Sequence, residues 1–410
     1  MAHQHPRPEL RTSRRSVLRA SAVAVPAVLL GGTSLGEAAL AAPAAARRRL
    51  DVRVADPHAT QSAIDLAALL DGWSGAGRMA VGQQLNVNGD APFGPVTAFD
   101  QDPPALSGRI RVLGWTTNEW DWVVHHGHYN DSLPELIAKA QASTPTVLVT
   151  SWYPHNPKTG KEAHVRPGPK VVDRVLKKGT PERKAFLKEF DTRVAPYLRQ
   201  LQDNGVATIF RPLIEANSFW FWWGCDNSHG GSSEWKSGVR KLFRLVQQRA
   251  WAKGIHNVLW GYSFVPADNY NAANPVSILP RFSDGDPAYD IAGLSSYDPE
   301  DNDHTADVLE LGSYVDVAAH APRMALGEVG PANSDGHWDP QVITSTLQTH
   351  AFDLGWQVPA YGMFWFDDGQ PRPNVTDGSW IAGKKQLSSL TGGKSWLATS
   401  DADGLIDVVP

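Results

Sequence analysis

The 410-residue chain has one cysteine, Cys225, so no disulfide can form within it, and a disulfide-stapled scaffold is excluded. Charge of either sign is modest. Lys and Arg number 38 against 43 Asp and Glu, a formal net charge of −5, and Arg47-Arg48-Arg49 is the only basic block. Nucleic acid and anionic membrane are therefore poor partners. No apolar run approaches the ~20 residues that span a bilayer; Ala20–Leu30 is too short and too rich in Ala and Gly. There is no Gly-rich phosphate loop, no Gly-x-Ser-x-Gly elbow and no dinucleotide fingerprint. Asp298, Asp301 and Asp303 lack the glycine and terminal glutamate of an EF-hand loop. His125-His126-Gly127-His128 has no acidic or cysteine partner at ligand spacing and reads as a polar loop beside Trp120 and Trp122. No metal or cofactor is expected.

What the chain does have begins with an address. Ser13-Arg14-Arg15 precedes the apolar stretch, and Ala39-Leu40-Ala41 and Ala44-Ala45-Ala46 offer cleavage sites. Residues 1–46 read as a twin-arginine export signal and processing region, leaving 47–410 as one domain. A secreted monomer is expected, folded before export, which accords with the single cysteine. Cys225 has no histidine in an obvious partner position and reads as a structural thiol.

Sixteen tryptophans exceed what a core needs and suggest a surface for a ligand with repeated apolar faces, such as a polysaccharide. The densest cluster is Arg211-Pro212-Leu213-Ile214-Glu215-Ala216-Asn217-Ser218-Phe219-Trp220-Phe221-Trp222-Trp223-Gly224. An apolar run from Val206 ends there in a carboxylate beside indoles. Burial against such a wall raises a carboxyl's pKa, and a proton-holding acid suits the oxygen between two sugar rings. The structural alternative is a core tryptophan cluster with a strand-end glutamate facing solvent.

Eight β-branched, apolar runs recur: Met79–Val87, Arg109–Trp115, Thr146–Trp152, Val206–Leu213, Asn257–Phe264, Asp290–Tyr297, Arg323–Val329 and Tyr361–Phe366. Several are continuously apolar, as strands buried on both faces are. Helices separate them. Thr180 is a candidate N-cap with Pro181 at the first helical position, and Pro196 is expected to kink that helix. A second helix runs from about Ser233 to Lys253, closed by Gly254. Eight alternations predict an α/β fold, a single-domain (β/α)8 TIM barrel, with the tail after Trp380 packing one last helix and running over the surface. Long loops follow the strands, and in such a barrel they build the site at the C-terminal face.

A second carboxylate comes from Met324-Ala325-Leu326-Gly327-Glu328-Val329-Gly330, which delivers Glu328 at the end of the seventh strand between glycines that would let a substrate approach. Glu215 ends the fourth. Two carboxyls facing across a barrel mouth suit glycoside hydrolysis. Asp367 and Asp368, after the eighth strand, are candidates either to bind substrate hydroxyls or to form a solvated turn.

Residues Arg211–Gly224 resemble the signature of glycoside hydrolase family 26, best known for endo-β-1,4-mannanases. The resemblance extends through Gly82-Gln83-Gln84, Ser151-Trp152-Tyr153, Asn156-Pro157, Asp290-Ile291-Ala292-Gly293 with Tyr297, Gly327-Glu328 and Phe364-Trp365. It implies a retaining enzyme with Glu215 as acid/base and Glu328 as nucleophile. It also implies Tyr297 beside the nucleophile, and Trp220 and Trp365 as sugar platforms, with Trp365 flooring the cleavage subsite. Arg211, Tyr153, His155 and Trp223 complete the candidate substrate-binding set. Three positions depart from the family: Ile214 and Tyr153 stand where histidines are usual, and Ser295 where an Asp is common. His155 is a candidate to supply the imidazole absent at 153. The catalytic pair is kept while the recognition shell changes. The expected activity is double displacement on a β-linked polysaccharide, by default β-mannan. The alternatives are β-1,3-xylan, a β-glucan or another glycan, or a carbohydrate-binding protein without chemistry.

Overall fold

The structure is a computed structural model that describes residues 52–86, 91–101, 105–117, 132–164, 170–225, 233–267, 272–298, 307–332, 336–367, 371–373 and 380–409. The expected export signal, the loop at 125–128, Asp301, Asp303 and Asp368 lie outside them. Eight parallel strands close into a barrel: β1 (Arg78–Gln84), β2 (Val112–Thr116), β3 (Val147–Trp152), β4 (Thr208–Pro212), β5 (Val258–Phe264), β6 (Ile291–Asp298), β7 (Met324–Pro331) and β8 (Tyr361–Phe364). Neighbours pair in sequence order, and β8 returns to β1 through Ala80↔Tyr361 to Gln83↔Phe364. The (β/α)8 expectation holds. No described helix is long and apolar enough to cross a membrane.

The strands bury both faces. One apolar cluster lies between strands and helices and includes Leu113, Trp115, Phe210, Trp260, Leu294 and Val329. A second fills the barrel with Ala80, Val112, Val149, Ile209, Leu259, Ile291, Ala325 and Met363. The helix Gln61–Gly75 adds Ala63, Leu66, Ala67, Leu70 and Trp73 to that inner cluster from the N-terminal end. Thr60 caps it by accepting from the Ala63 N–H.

Side chains alternate along a strand, so the inner set predicts what lines the barrel two or four residues further on. It comprises Gln84, Thr116, Ser151, Arg211, Ser263 and Ser295. The C-terminal end of the barrel is thus polar inside, whereas its middle is apolar. Long side chains there need room below, and glycines provide it. A Cβ on Gly261 would fall 2.8 Å from Arg211 Cγ, and one on Gly114 would collide with Gln84 and Met363.

Local signals before β4 behave as read, with one refinement. Thr180 caps the helix Pro181–Glu189, accepting from the Arg183 N–H. The effect of Pro196 is more specific than a kink. Lacking an N–H, it cannot bond the carbonyl four residues back, and the turn Phe190–Val194 widens to π geometry before Ala195–Asp203 resumes as α-helix. The tail departs further from expectation. After the helix Gly393–Ala398, residues Leu405–Asp407 pair antiparallel with Arg78–Ala80. Strand β2 meets β1 only from Gly82 onward, so the lower edge of β1 would otherwise be open, and this short strand covers it.

Candidate active site

The turn after β4 is where the backbone leaves its comfortable range. Leu213 (φ 59°) and Glu215 (φ 49°) both sit in the left-handed region, which costs a non-glycine residue on the order of 1 kcal/mol or more. The surroundings fix this geometry. Asn217, fully buried, donates to the carbonyls of Val265 and Ala273 and accepts from the Val265 N–H, while its own carbonyl takes the Ala273 N–H. The Ala216 N–H bonds Ser263 O, and the Cys225 N–H returns to Ala216 O. Gly224 is required because a Cβ there would strike the Ser218 carbonyl. The strained loop is thereby bolted to the end of β5, and Glu215 is set over the barrel.

Glu328 reaches the same space by a different device. Regular alternation from Ala325 would turn Gly327 and Val329 inward and Glu328 outward. The β6–β7 register slips instead, with Leu294 opposite Leu326 but Ser295 opposite Glu328. Gly327 is the extra residue of a β-bulge, and the bulge turns Glu328 into the barrel while Val329 joins the outer core. The glycine's space goes to its neighbours: a Cβ on Gly327 would lie 3.1 Å from Gly293 Cα and 3.4 Å from Arg211 Nη2. Close backbone packing, rather than substrate approach, accounts for Gly327.

Both oxygens of Glu328 accept hydrogen bonds. Arg211 Nη2 donates to Oε1 at 2.9 Å, and the Tyr297 hydroxyl donates to Oε2 at 2.9 Å. Arg211 is held by further bonds from Nη1 to Gly327 O (3.1 Å) and from Nη2 to Ser263 Oγ (3.1 Å). Expected to bind substrate, Arg211 is 1 % exposed and directs its charge at Glu328. Burial, and then the charge of Glu328, push the Tyr297 phenol well above its ordinary value, so it remains a donor. Glu215 is placed differently. Its Oε2 accepts from Trp220 Nε1 at 2.6 Å, with no cation in bonding contact among the described residues. Burial, and then the nearby charge of Glu328, push its pKa from 4.5 up to about 8, against the counter-effects of Ser295, Trp220 and Arg211. The buried Ser295 hydroxyl stands beside this carboxyl, short of hydrogen-bond geometry, with no partner of its own. One carboxyl is therefore held by two donors, one of them a guanidinium, while burial pushes its neighbour's pKa up.

The other expected residues divide. Tyr153 belongs to the centre: its phenol is pushed up by burial first and then by Glu328, with Arg211 and Glu215 also in range, and its ring tilts against Phe221 at 5.7 Å. Trp220 and Tyr297 are half-buried with part of each side chain accessible, while Trp365 is 2 % exposed at the end of β8. His155 is turned aside by Glu189, whose Oε1 lies 3.0 Å from His155 Nδ1 and also takes Trp152 Nε1. Trp223 corrects the sequence reading. It is fully buried, stacked on Phe221 at 4.6 Å and bonded through Nε1 to Ile214 O, so it supports the loop and has no face for a sugar. Asp367 is a second correction. Its carboxylate is neither a sugar ligand nor a solvated turn, since it accepts from the N–H groups of Lys385 and Gln386 and from Ser389 Oγ. Cys225 is a buried thiol outside any disulfide. Among the described residues no cluster of three His, Cys, Asp or Glu could hold a metal.

Three contributors escape sequence reasoning. Asn217 had a signal, its place inside the tryptophan motif. Glu189 and Lys385 had none, because each meets the site across a long stretch of chain.

Comparison with known proteins agrees with this architecture. The profile described as Glycosyl hydrolase family 26 matches residues 100–378. A Bacillus subtilis protein named mannan endo-1,4-beta-mannosidase is 25% identical over 205 residues, 48% of this chain and 51% of its own. One of the same name from Bifidobacterium adolescentis is 28% identical over 258 residues, 61% of this chain and 24% of its own. The chain thus spans about half the length of the first relative and a quarter of the second. Among solved structures, a Bacillus subtilis mannanase superposes with a TM-score of 0.63 at 18% identity, covering 86% of this chain and 94% of that one. A modular endo-beta-1,4-mannanase from Cellulomonas fimi gives 0.57 at 21%, covering 81% and 72%. With Glu215 after β4 and Glu328 on β7 inside the matched span, the chain belongs to glycosyl hydrolase family 26.

Proposed function

We propose that the protein is a retaining glycoside hydrolase that cuts a β-linked polysaccharide, with β-mannan as its substrate. The observation that carries this is the unequal pair: Glu328 bonded by Arg211 and Tyr297, and Glu215 in a buried site beside Trp220 with its pKa pushed up to about 8. Glu328 attacks the anomeric carbon as the glycosidic C–O bond breaks, and Glu215 gives its proton to the departing oxygen. A covalent glycosyl ester on Glu328 results. Glu215, now a carboxylate, takes a proton from water, the hydroxide oxygen bonds the anomeric carbon, and Glu328 leaves as a carboxylate. Protons balance over the cycle and no cofactor is needed. The names of the relatives support mannan. Tyr153, Ile214 and Ser295 favour a second reading, the same chemistry on another β-glycan, because Tyr153 and Ser295 stand beside the two carboxyls and Ile214, next to Glu215 in sequence, offers no polar side chain to a sugar hydroxyl.

The reading extends to residues 47–410 as one catalytic domain, exported by the twin-arginine route to act outside the cell as a monomer. Support for export is Arg14-Arg15 with the apolar stretch behind it. The test is reducing-sugar release by residues 47–410 on β-mannans, β-1,3- and β-1,4-xylans, β-glucans, arabinans and galactans, with Glu215→Ala and Glu328→Ala alongside. Release from mannan, abolished in both variants, is expected. Release from a different glycan alone moves the substrate and keeps the chemistry. Binding without release, unchanged in both variants, overturns the enzyme.

A further inference from the structure

The segment after residue 380 was expected to run over the surface, and it does something more specific. Residues 385–389 are pinned beside the C-terminal ends of β1 and β8 by two side chains. Asp367 holds the N–H groups of Lys385 and Gln386 with Oδ1, and the Ser389 hydroxyl with Oδ2. Gln83, at the end of β1, accepts the Leu387 N–H and donates to the carbonyls of Gln84, Phe364 and Trp365. This anchoring delivers the Lys385 side chain inward. The residue is 9 % exposed, and its ammonium stands over the ring of Tyr297, 5.4 Å from the centroid. The hydroxyl of that ring donates to Glu328 Oε2.

Resting on the hydrolase reading above, we propose that Lys385 is a positioning residue that acts on Glu328 through Tyr297. A cation over an aromatic face draws electron density from the ring and makes the phenol a stronger donor. The nucleophile then sits between two cation-backed donors, Arg211 directly on Oε1 and Tyr297 with Lys385 behind it on Oε2. The arrangement favours the carboxylate form of Glu328. That form is required before attack, and it is the form in which Glu328 departs from the glycosyl ester. The second half-reaction therefore gains from Lys385. The other ionisable groups facing Glu328 are Glu215 after β4, Tyr153 after β3 and Tyr361 on β8.

The test compares Lys385→Met, Lys385→Arg, Tyr297→Phe and the double variant Lys385→Met/Tyr297→Phe. Glu328 is titrated by 13C NMR of glutamate-labelled protein, its signal assigned by loss in Glu328→Gln. This reads the coupling whether or not any glycan is turned over, so a failure of the hydrolase reading is separable from a failure of this one. Removing a favourable cation raises the pKa of a carboxylate. Lys385→Met should move the Glu328 titration up by about half a unit, or about threefold in proton affinity, while Lys385→Arg should restore it. In the Tyr297→Phe background the Met substitution should add nothing. With a dinitrophenyl β-mannoside as probe, Lys385→Met should slow deglycosylation more than the burst and shift the acid limb of kcat/KM to higher pH. An unmoved Glu328 titration in folded Lys385→Met, or an equal shift with and without the Tyr297 hydroxyl, overturns the proposal.

Discussion

At the N-terminal end of the barrel, Asp290 is buried with Ala55 N–H on one oxygen and Trp260 N–H on the other. Beside it Arg323 donates from all three nitrogens, to the carbonyls of Ala67, Arg53 and Asp290 and to Asp71. Asp56 similarly joins His256 to the entering chain. At the C-terminal end, Glu215 sits on strained backbone with one indole as its bonded partner, and Gln84, Thr116, Ser151 and Ser295 carry buried side-chain atoms with no partner. Burial raises a carboxyl at both ends, Asp290 to about 6 and Glu215 to about 8. At one end the polar groups are spent on the fold. At the other, several buried polar atoms have no partner, and unpaired buried polar groups of this kind cost about 1–3 kcal/mol each. Stability and function are thus concentrated at opposite ends of one sheet.

The sharpest way to break that contrast is to remove the carboxylates at the mouth. Glu215→Ala should cost on the order of 10²–10⁴ in turnover with melting temperature held or raised; Glu328→Ala should cost at least as much in turnover but also lower stability, because it strands the buried Arg211 guanidinium. Steady-state kinetics with calorimetry would check this, and a large loss of melting temperature in Glu215→Ala would erase the distinction between the ends. The opposite outcome is expected at the base. Arg323→Met should lower stability by about 1–3 kcal/mol by leaving the buried carbonyls of Ala67 and Asp290 without their donor, while activity per folded molecule survives. Denaturant unfolding monitored beside a folded-fraction-corrected assay separates the two.

How much of this was legible depends on the range of each determinant. The strands were readable because buried parallel strands are apolar throughout, and the β4 and β7 glutamates because they end such runs. The bulge at Gly327 was not, since it depends on the register between β6 and β7, and without it Glu328 would point outward. Trp223 and Phe219 look equivalent in sequence, yet one is buried under the loop and the other lies in solvent, because the turn at Leu213–Glu215 sets which way each faces. Glu189 and Lys385 are brought to the site by tertiary packing alone.

A smaller effect sharpens the comparison through pH. Glu215 holds its proton more tightly when folded than when unfolded, so its contribution is fully present below about 4.5 and is lost as pH rises towards about 8. Unfolding free energy of Glu215→Gln should fall less steeply than wild type across that window. Asp290 has the same sign between about 3.8 and about 6. Wild-type and Glu215→Gln curves of stability against pH that run parallel would show that Glu215 is not buried as an acid. Smallest of all, Phe219→Ala should leave stability within about 0.5 kcal/mol, because Phe219 is 39% exposed. Its ring meets Trp220 at 5.2 Å, so KM for a long glycan should rise a few-fold if that side of Glu215 carries the leaving group.

The most direct test of the mouth's assigned chemistry is to trap the intermediate. The protein would be incubated with a 2-deoxy-2-fluoro-β-mannosyl fluoride, digested with pepsin and mapped by mass spectrometry. A fluorosugar ester on Glu328, absent in Glu328→Gln and formed more slowly in Arg211→Met, is the expected result. An unlabelled Glu328 in protein that hydrolyses mannan, or a product released with inverted anomeric configuration, would contradict double displacement at this pair.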